Sequence, residues 1–301
     1  MGAAKFVRGL ALTVDQRRLD VIVNTGDDET FYGLYVSPDL DTITYTLADV
    51  VNRGPGWGLA GESFNALGAL TRFYGKPWFG LGDKDLATHL YRTDRLRQGA
   101  SLSRVTAEIA RRFGVRASVM PASDDQVRTF VKVKGLPTMP FQQYFVKRRF
   151  RGAVETIELK GVATASPCPA ALRSIRQAAA VIIAPSNPFV SIGPIVGIKK
   201  LREALRSARD RVIAISPIVG GKSVKGPADR MLRGLGHEVS PLAIARLYRD
   251  LAGTFVLDNI DAKYLEPVRG LGMRAIAADT VMATAERAAS LASVVLDSLA
   301  R

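Results

Sequence analysis

Four aspartates, Asp27, Asp28, Asp39 and Asp41, fall within fifteen residues of the stretch NTGDDETFYGLYVSPDLDTITYTL, in a chain whose formal net charge is +14. Carboxylates crowded in this way repel, and the arrangement persists only if a proton, a cation or a hydrogen-bond donor relieves it. Oxygen ligands of this kind suit magnesium, which is held by one or two carboxylates together with substrate phosphates. Each pair alone also has an ordinary structural reading, Thr-Gly-Asp-Asp as a turn and Ser-Pro-Asp as a helix cap. Two pairs flanking one short loop favour a metal or proton-transfer site.

The element that must position them is the apolar run Asp20–Asn24, rich in β-branched residues. Such strands suit the buried centre of a parallel α/β sheet, where ligands bind just beyond the carboxyl ends of the strands. The same rhythm returns downstream. Ala180–Ala184 has the composition of the most buried strand and empties into a polar, proline-rich loop carrying Ser186, Asn187 and Ser191. Arg211–Ile215 is followed by Gly220, Gly221 and Lys225 and then by a helix over 227–235. Glycine exposes backbone amides and a helix start attracts anions, so this second loop reads as a phosphate cradle, although its lysine spacing is not that of a Walker loop. Further strands are predicted at 117–121, 127–133, 154–159, 255–258 and 274–277. Helices are predicted at 85–96, 101–113, 141–147, 169–177, 242–251 and 283–299. The fold class is therefore α/β, a Rossmann-like parallel sheet flanked by helices. A single domain over 1–301 has its core at about 1–50 and 115–301, with a helical and loop insertion at about 51–114. Both tryptophans, Trp57 and Trp78, fall in that insertion near Asp83, among glycines and aromatics that could hold a planar heterocycle or simply form core.

Composition bounds the function. With 47% hydrophobic residues the chain has ample core, and its lone Cys168 permits no internal disulfide, which points to a reducing, cytoplasmic setting. No apolar run approaches the roughly eighteen residues a membrane span needs, so no membrane partner is expected. The basic residues are spread along the chain, with short clusters such as Lys147–Arg151, and no nucleic-acid-binding signature accompanies them. A basic surface that attracts phosphorylated small molecules accounts for the charge without nucleic acid.

The strings N-T-G-D-D (Asn24–Asp28), S-P-D-L-D-T (Ser37–Thr42), W-F-x-L-G-D-x-D-L-A (Trp78–Ala87), P-S-N-P-x-x-S-I-G-P-I (Pro185–Ile195) and S-P-I-V-G-G-x-x-x-K-G-P-A (Ser216–Ala228) occur in this order. Together they resemble the 2-phospho-L-lactate transferase family of coenzyme F-420 biosynthesis, over essentially the whole chain. The resemblance implies transfer of a phospho-three-carbon-acid group from its guanosine-diphosphate-activated form to the ribityl hydroxyl of the deazaflavin Fo. GMP leaves, and magnesium is required. It places Asn24, Thr25, Asp27, Asp28, Asp39 and Asp41 on the Fo and metal side, with Asp28 and Asp41 as the metal ligands and the four aspartates as the catalytic set. It places Lys5, Ser186, Asn187, Ser191, Gly220, Gly221 and Lys225 on the nucleotide side, with Trp57, Trp78 and Asp83 also binding substrate. A homodimer is expected. The three-carbon acid, whether phospholactate, phosphoenolpyruvate or phosphoglycerate, is not legible. A non-catalytic nucleotide or nucleotide-sugar-binding regulator of the same fold is the alternative.

One departure concerns the start. Family members open with a strand and Gly-Gly-x-Gly-x-x-Lys or Arg, whereas here Met1-Gly2-Ala3-Ala4-Lys5 stands alone, with Met1 at the variable position. The reading frame is therefore expected to extend upstream and to encode a short β-branched strand ending in Gly-Gly. The genomic codons before Met1 decide this; an in-frame stop within the first few would show the expectation wrong.

Overall fold

The computed structural model of the chain describes residues 2–299, so Met1 lies outside the described residues. Helix α1 (Gly2–Thr13) leads into β1 (Asp20–Val23), the hairpin β2 (Glu29–Phe31) and β3 (Leu34–Val36), and α2 (Pro38–Leu47). Then come α3 (Asn65–Tyr74), α4 (Asp83–Arg97), α5 (Leu102–Arg112) and β4 (Ser118–Pro121), which pairs in parallel with β1 from Asp20↔Ser118 to Val23↔Pro121. An antiparallel sheet follows, β5 (Arg128–Val133) between β6 (Met139–Pro140) and β7 (Val154–Lys160). Strand β5 alternates inward and outward, as its sequence predicts, turning Thr129, Val131 and Val133 inward.

The second half is a regular parallel array. Helix α6 (Pro169–Gln177) precedes β8 (Val181–Ile183); α7 (Gly193–Val196) and α8 (Lys199–Ser207) precede β9 (Val212–Ile215). The small hairpin β10 (Ile218–Val219) and β11 (Lys222–Ser223) comes next, followed by α9 (Ala228–Gly234), α10 (Pro241–Tyr248), β12 (Thr254–Asp258), α11 (Leu265–Arg269), β13 (Arg274–Ala278) and α12 (Ala285–Asp297). The strand order is β13-β12-β9-β8, all parallel. Strands β9 and β12 are buried along their whole length because helices cover both faces.

The α/β class is thus as expected, with two differences. The parallel strands form two sheets, β4-β1 and β8-β9-β12-β13. An apolar cleft of about 480 Å³ separates them, lined by β1, β8 and the inner face of α1. Strand β8, read as the most buried, is only half-buried because it borders this cleft. The second difference is the insertion. Helix α5 packs Leu102 and Ala110 into the same core as Val23 and Val119, so it belongs to the helical layer of the first sheet. The excursion from the core ends where α4 begins; its α3 buries no side chain. The helix expected at 141–147 is a π-helical turn at Gln143–Lys147. Among the described residues no helix is long and apolar enough to cross a membrane.

Helix α1 is fixed by α12, through Phe6 and Leu10 against Ala288, Leu291 and Val295. The approach is close enough to require glycine, since a Cβ at Gly9 would lie 2.2 Å from the Ala288 carbonyl oxygen. Gly9→Leu is expected to lower the denaturation midpoint by the equivalent of about 1–3 kcal/mol, the usual cost of overpacking. An unchanged midpoint in urea would show that the helix pair opens freely.

Candidate functional site

A cavity of about 330 Å³ opens at the carboxyl ends of β1, β8, β9 and β13, bounded by Asp27, Ser186, Ser216 and Thr280 from the four exit loops. Its acidic wall is built from the turn after β1 and the first turn of α2. The Asp28 amide donates to the Thr25 carbonyl at 3.2 Å, closing the turn. Gly26 sits where a Cβ would meet Thr129 Oγ1 at 2.5 Å and Pro194 Cγ at 2.8 Å, so only glycine lets the turn tuck beneath β5. Asn24 clasps the wall together. Its Nδ2 donates to Asp39 Oδ2 at 2.9 Å and to the Val190 carbonyl at 3.3 Å, while its Oδ1 accepts the Gly26 amide at 2.8 Å.

The four aspartates have separate environments. Asp27, Asp39 and Asp41 line the cavity. Asp28 is buried behind them at 1% exposure, and its Oδ2 accepts Ser37 Oγ at 2.8 Å and Tyr35 OH at 3.0 Å. Ser37 stands at the N-cap of α2 but spends its hydroxyl on Asp28 and caps nothing. Asp41 is gripped by Arg92 of α4, whose Nη1 reaches Oδ2 at 3.1 Å and whose Nη2 reaches Oδ1. Arg92 therefore engages both oxygens of Asp41, one expected metal ligand, and Asp28, the other, lies behind the cavity lining. Burial raises the Asp27 carboxyl well above its usual range, and the nearby Asp39 and Asp28 raise it further. Burial also lifts Asp28 to about 7 despite its donors and the positive charges of Arg128 and Arg92. Asp27 Oδ1 and Asp28 Oδ1 are buried without a hydrogen-bond partner.

The opposite wall is cationic and polar. Lys5 and Lys225 line it with Ser186, Asn187 and Ser191. Lys5 Nζ donates to the Met282 carbonyl at 2.9 Å, and burial and the neighbouring Lys225 lower its pKa. Asn187 shapes its loop, its Oδ1 accepting the Phe189 amide at 2.9 Å. The third wall is aromatic: Trp57, Phe79, Phe141 and Phe145, with Tyr45 and Asp85 beneath.

Four sequence expectations move. Gly220 and Gly221 form the turn of the β10–β11 hairpin, with φ of +55° and +76°, and lie outside the cavity lining. The Gly220 amide donates to Asp261 Oδ2 at 2.9 Å, so it is not free for phosphate, and the glycines answer to turn geometry. Trp78 packs edge-on against Phe31 at 5.3 Å and does not reach the cavity. Asp83 is tied at the surface to Ser63 Oγ (2.6 Å) and the Ala66 amide (3.0 Å), anchoring the entry to α3. Three residues went unassigned by sequence: Asp85, His89 and Arg92, spaced i, i+4 and i+7 on the buried face of α4. That spacing of polar groups on one helix face is the signal that could have found them. His89, pushed down to about 4 by burial, is neutral beside Asp41.

The raised carboxyls have a thermodynamic consequence. Between the unfolded value of 3.8 and the folded value of about 7, the folded protein binds more protons at Asp28 than the unfolded chain. This site therefore stabilises the fold at low pH, and the contribution is lost as pH rises towards 7. Asp28→Asn is expected to flatten the fall in melting temperature between pH 4 and 7, measured without divalent cations. Equal slopes in parent and variant would show that Asp28 is already ionised in the folded protein.

The comparisons with known proteins agree with this geometry. The profile of the family described as 2-phospho-L-lactate transferase CofD matches residues 1–295. The chain is 38% identical over 302 residues to a phosphoenolpyruvate transferase of Kitasatospora aureofaciens, covering 98% of this chain and 94% of that one. It is 35% identical over 296 residues to a 2-phospho-L-lactate transferase of Methanosarcina mazei, covering 98% and 96%. A crystal structure of a UPF0052-family protein from Bacillus halodurans shares the fold, with a TM-score of 0.60 at 15% identity over 98% of this chain and 96% of that one. With the motifs, the strand-end cavity and a profile spanning nearly every residue in agreement, the chain belongs to the 2-phospho-L-lactate transferase family.

Proposed function

We propose that this chain transfers a phospho-three-carbon-acid group from a guanosine-diphosphate-activated donor to the ribityl hydroxyl of the deazaflavin Fo, releasing GMP. The observation that carries this reading is one cavity with three walls of different chemistry. An acidic wall faces a cationic one, and an aromatic wall closes the end. The donor's phosphates match Lys5, Lys225 and the polar loop after β8, since fixed positive groups stabilise charge that grows on phosphoryl oxygens. The flat ring of the acceptor matches Trp57 and Phe79. Asp27, with an orphaned oxygen beside the cavity, takes the proton of the attacking hydroxyl as the new O–P bond forms and the bond to GMP breaks.

Magnesium fits the acidic wall. Asp39 would hold it, oriented by Asn24, with the donor's phosphates completing the shell. Bound there, the ion would neutralise pyrophosphate charge. The reading extends to a cytoplasmic homodimer, supported by a single buried cysteine and by Phe73 and Tyr74 facing solvent on α3.

The test is GMP release on mixing Fo with each activated donor and magnesium, with the product's mass identifying the acid. Asp27→Asn is expected to slow transfer by a factor on the order of 10², the scale of a positioned acid–base group. Rates within a few-fold of the parent would remove Asp27 from the chemistry. Fo and nucleotide bound without any GMP release would favour the non-catalytic binder.

A further inference from the structure

The aromatic end of the cavity contains a carboxyl group that the transfer chemistry does not use. Asp85 lies in the first turn of α4, is 8% exposed, lines the cavity, and has an Oδ1 with no hydrogen-bond partner. The Tyr45 hydroxyl is a nearby donor and favours the ionised form, but its own proton has another acceptor, Thr88 Oγ1 at 2.9 Å. Arg92, the nearest guanidinium, is committed to Asp41. The Asp85 amide is satisfied by Glu62 Oε1 at 2.8 Å, so the side chain is the free part of the residue. The loop above it lies in van der Waals range, a Cβ at Gly58 sitting 3.7 Å from Asp85 Oδ2, and Trp57 borders the same space.

A buried carboxyl group without a donor is most stable neutral. The groups facing Asp85 divide: Asp41 and Glu62 favour the neutral form, and the Tyr45 hydroxyl and Arg92 oppose it. Asp41 and Tyr45 come from α2 and Glu62 from the preceding loop, while His89 is neutral and Arg92 and Lys84 are engaged by Asp41 and the Ala60 carbonyl. Burial, then Asp41 and Glu62, raise Asp85 to about 7. A neutral carboxyl presents a donor and an acceptor side by side. A deazaflavin presents the complement along its pyrimidine edge, a ring N–H beside a carbonyl. We propose that Asp85, as the neutral acid, recognises the acceptor by pairing with this edge, its O–H donating to the ring carbonyl and its second oxygen accepting the ring N–H. Asp85 is then the specificity residue for the planar half of the acceptor, remote from the phosphoryl step. This rests on the Fo-transfer reading above.

Fluorescence titration of Fo tests it, with GDP affinity measured on each variant to report an intact cavity. Asp85→Leu leaves the ring edge unpaired and is expected to weaken Fo binding roughly tenfold or more, the cost of an unsatisfied buried polar group. Asp85→Asn keeps a donor and an acceptor, so it should bind Fo within about threefold of the parent at neutral pH. The parent's affinity should fall as pH rises above 7, and the Asn variant should lose that fall; titrations of Fo itself appear in both and cancel in their ratio. For a leucine variant that does not fold, Fo methylated at the ring nitrogen is the second probe, expected to bind the parent roughly tenfold more weakly than Fo. Parental Fo affinity in Asp85→Leu, or equal affinity of the parent for methylated and unmethylated Fo, overturns the proposal. Failure of the parent to bind Fo at all would instead overturn the transfer reading.

Discussion

The ion pair between Arg92 and Asp41 is the constraint on which the acidic wall depends. Arg92 is 1% exposed, and no water shell compensates its charge. Taking an arginine and an aspartate out of water costs several kcal/mol per ion, recovered only if the geometry is good and both partners stay. Here both Asp41 oxygens meet the guanidinium, which ties α2 to α4 at their buried faces. The pair thereby fixes where the first turn of α2 lies, and with it Asp39, two residues before Asp41. It also occupies both oxygens of one of the four carboxylates. An acidic cluster that looks uniform in sequence is divided into a lining member held by Arg92, a buried member supported by Ser37 and Tyr35, and two further members that line the cavity.

The division of labour follows the sheets. The acidic wall grows from the exit of β1, and the cationic and polar wall from the exits of β8 and β9. In the proposed reaction, a hydroxyl that must lose a proton and a pyrophosphate that must be neutralised would thus be addressed by separate parts of the chain. Strand ends suit this because successive parallel strands deliver their loops to the same edge. The small third sheet contributes through Thr129, under which the Gly26 turn is seated.

Much of this was legible in sequence, and for physical reasons. The strands at β9, β12 and β13 are continuous apolar runs of the type that only a doubly covered parallel sheet demands. Asn24 and Asp27 were visible because they stand directly after an apolar strand, and Asp39 because it opens a second aspartate pair one short loop later. Lys225, Ser186 and Ser191 reach the cavity as the loop pattern suggested, and Lys5 as the resemblance implied. What failed depended on direction. Gly220 and Gly221 have the composition of a phosphate loop, but positive φ at two adjacent residues serves a hairpin equally well, and Asp261, forty-one residues from Gly220, decides between them. Trp78 and Asp83 lie in a motif of the right kind, yet one points into an aromatic cluster and the other to the surface. Arg92 was invisible because an arginine in a helix is ordinarily solvated; only the fold brings it to Asp41, fifty-one residues away.

The cleft between β1 and β8 gives this site an unusual mechanical character. Within each sheet, strands are held at a fixed spacing by regular backbone hydrogen bonds, a stiff connection. Across the cleft the two sheets are joined by a seam of apolar side chains of α1, α2, α6 and α7 and by single hydrogen bonds such as Asn24 to the Val190 carbonyl. The acidic and cationic walls stand on opposite banks of that seam. Their separation is therefore set by side-chain packing and not by a backbone ladder. A substrate that touches both walls acts as a cross-brace.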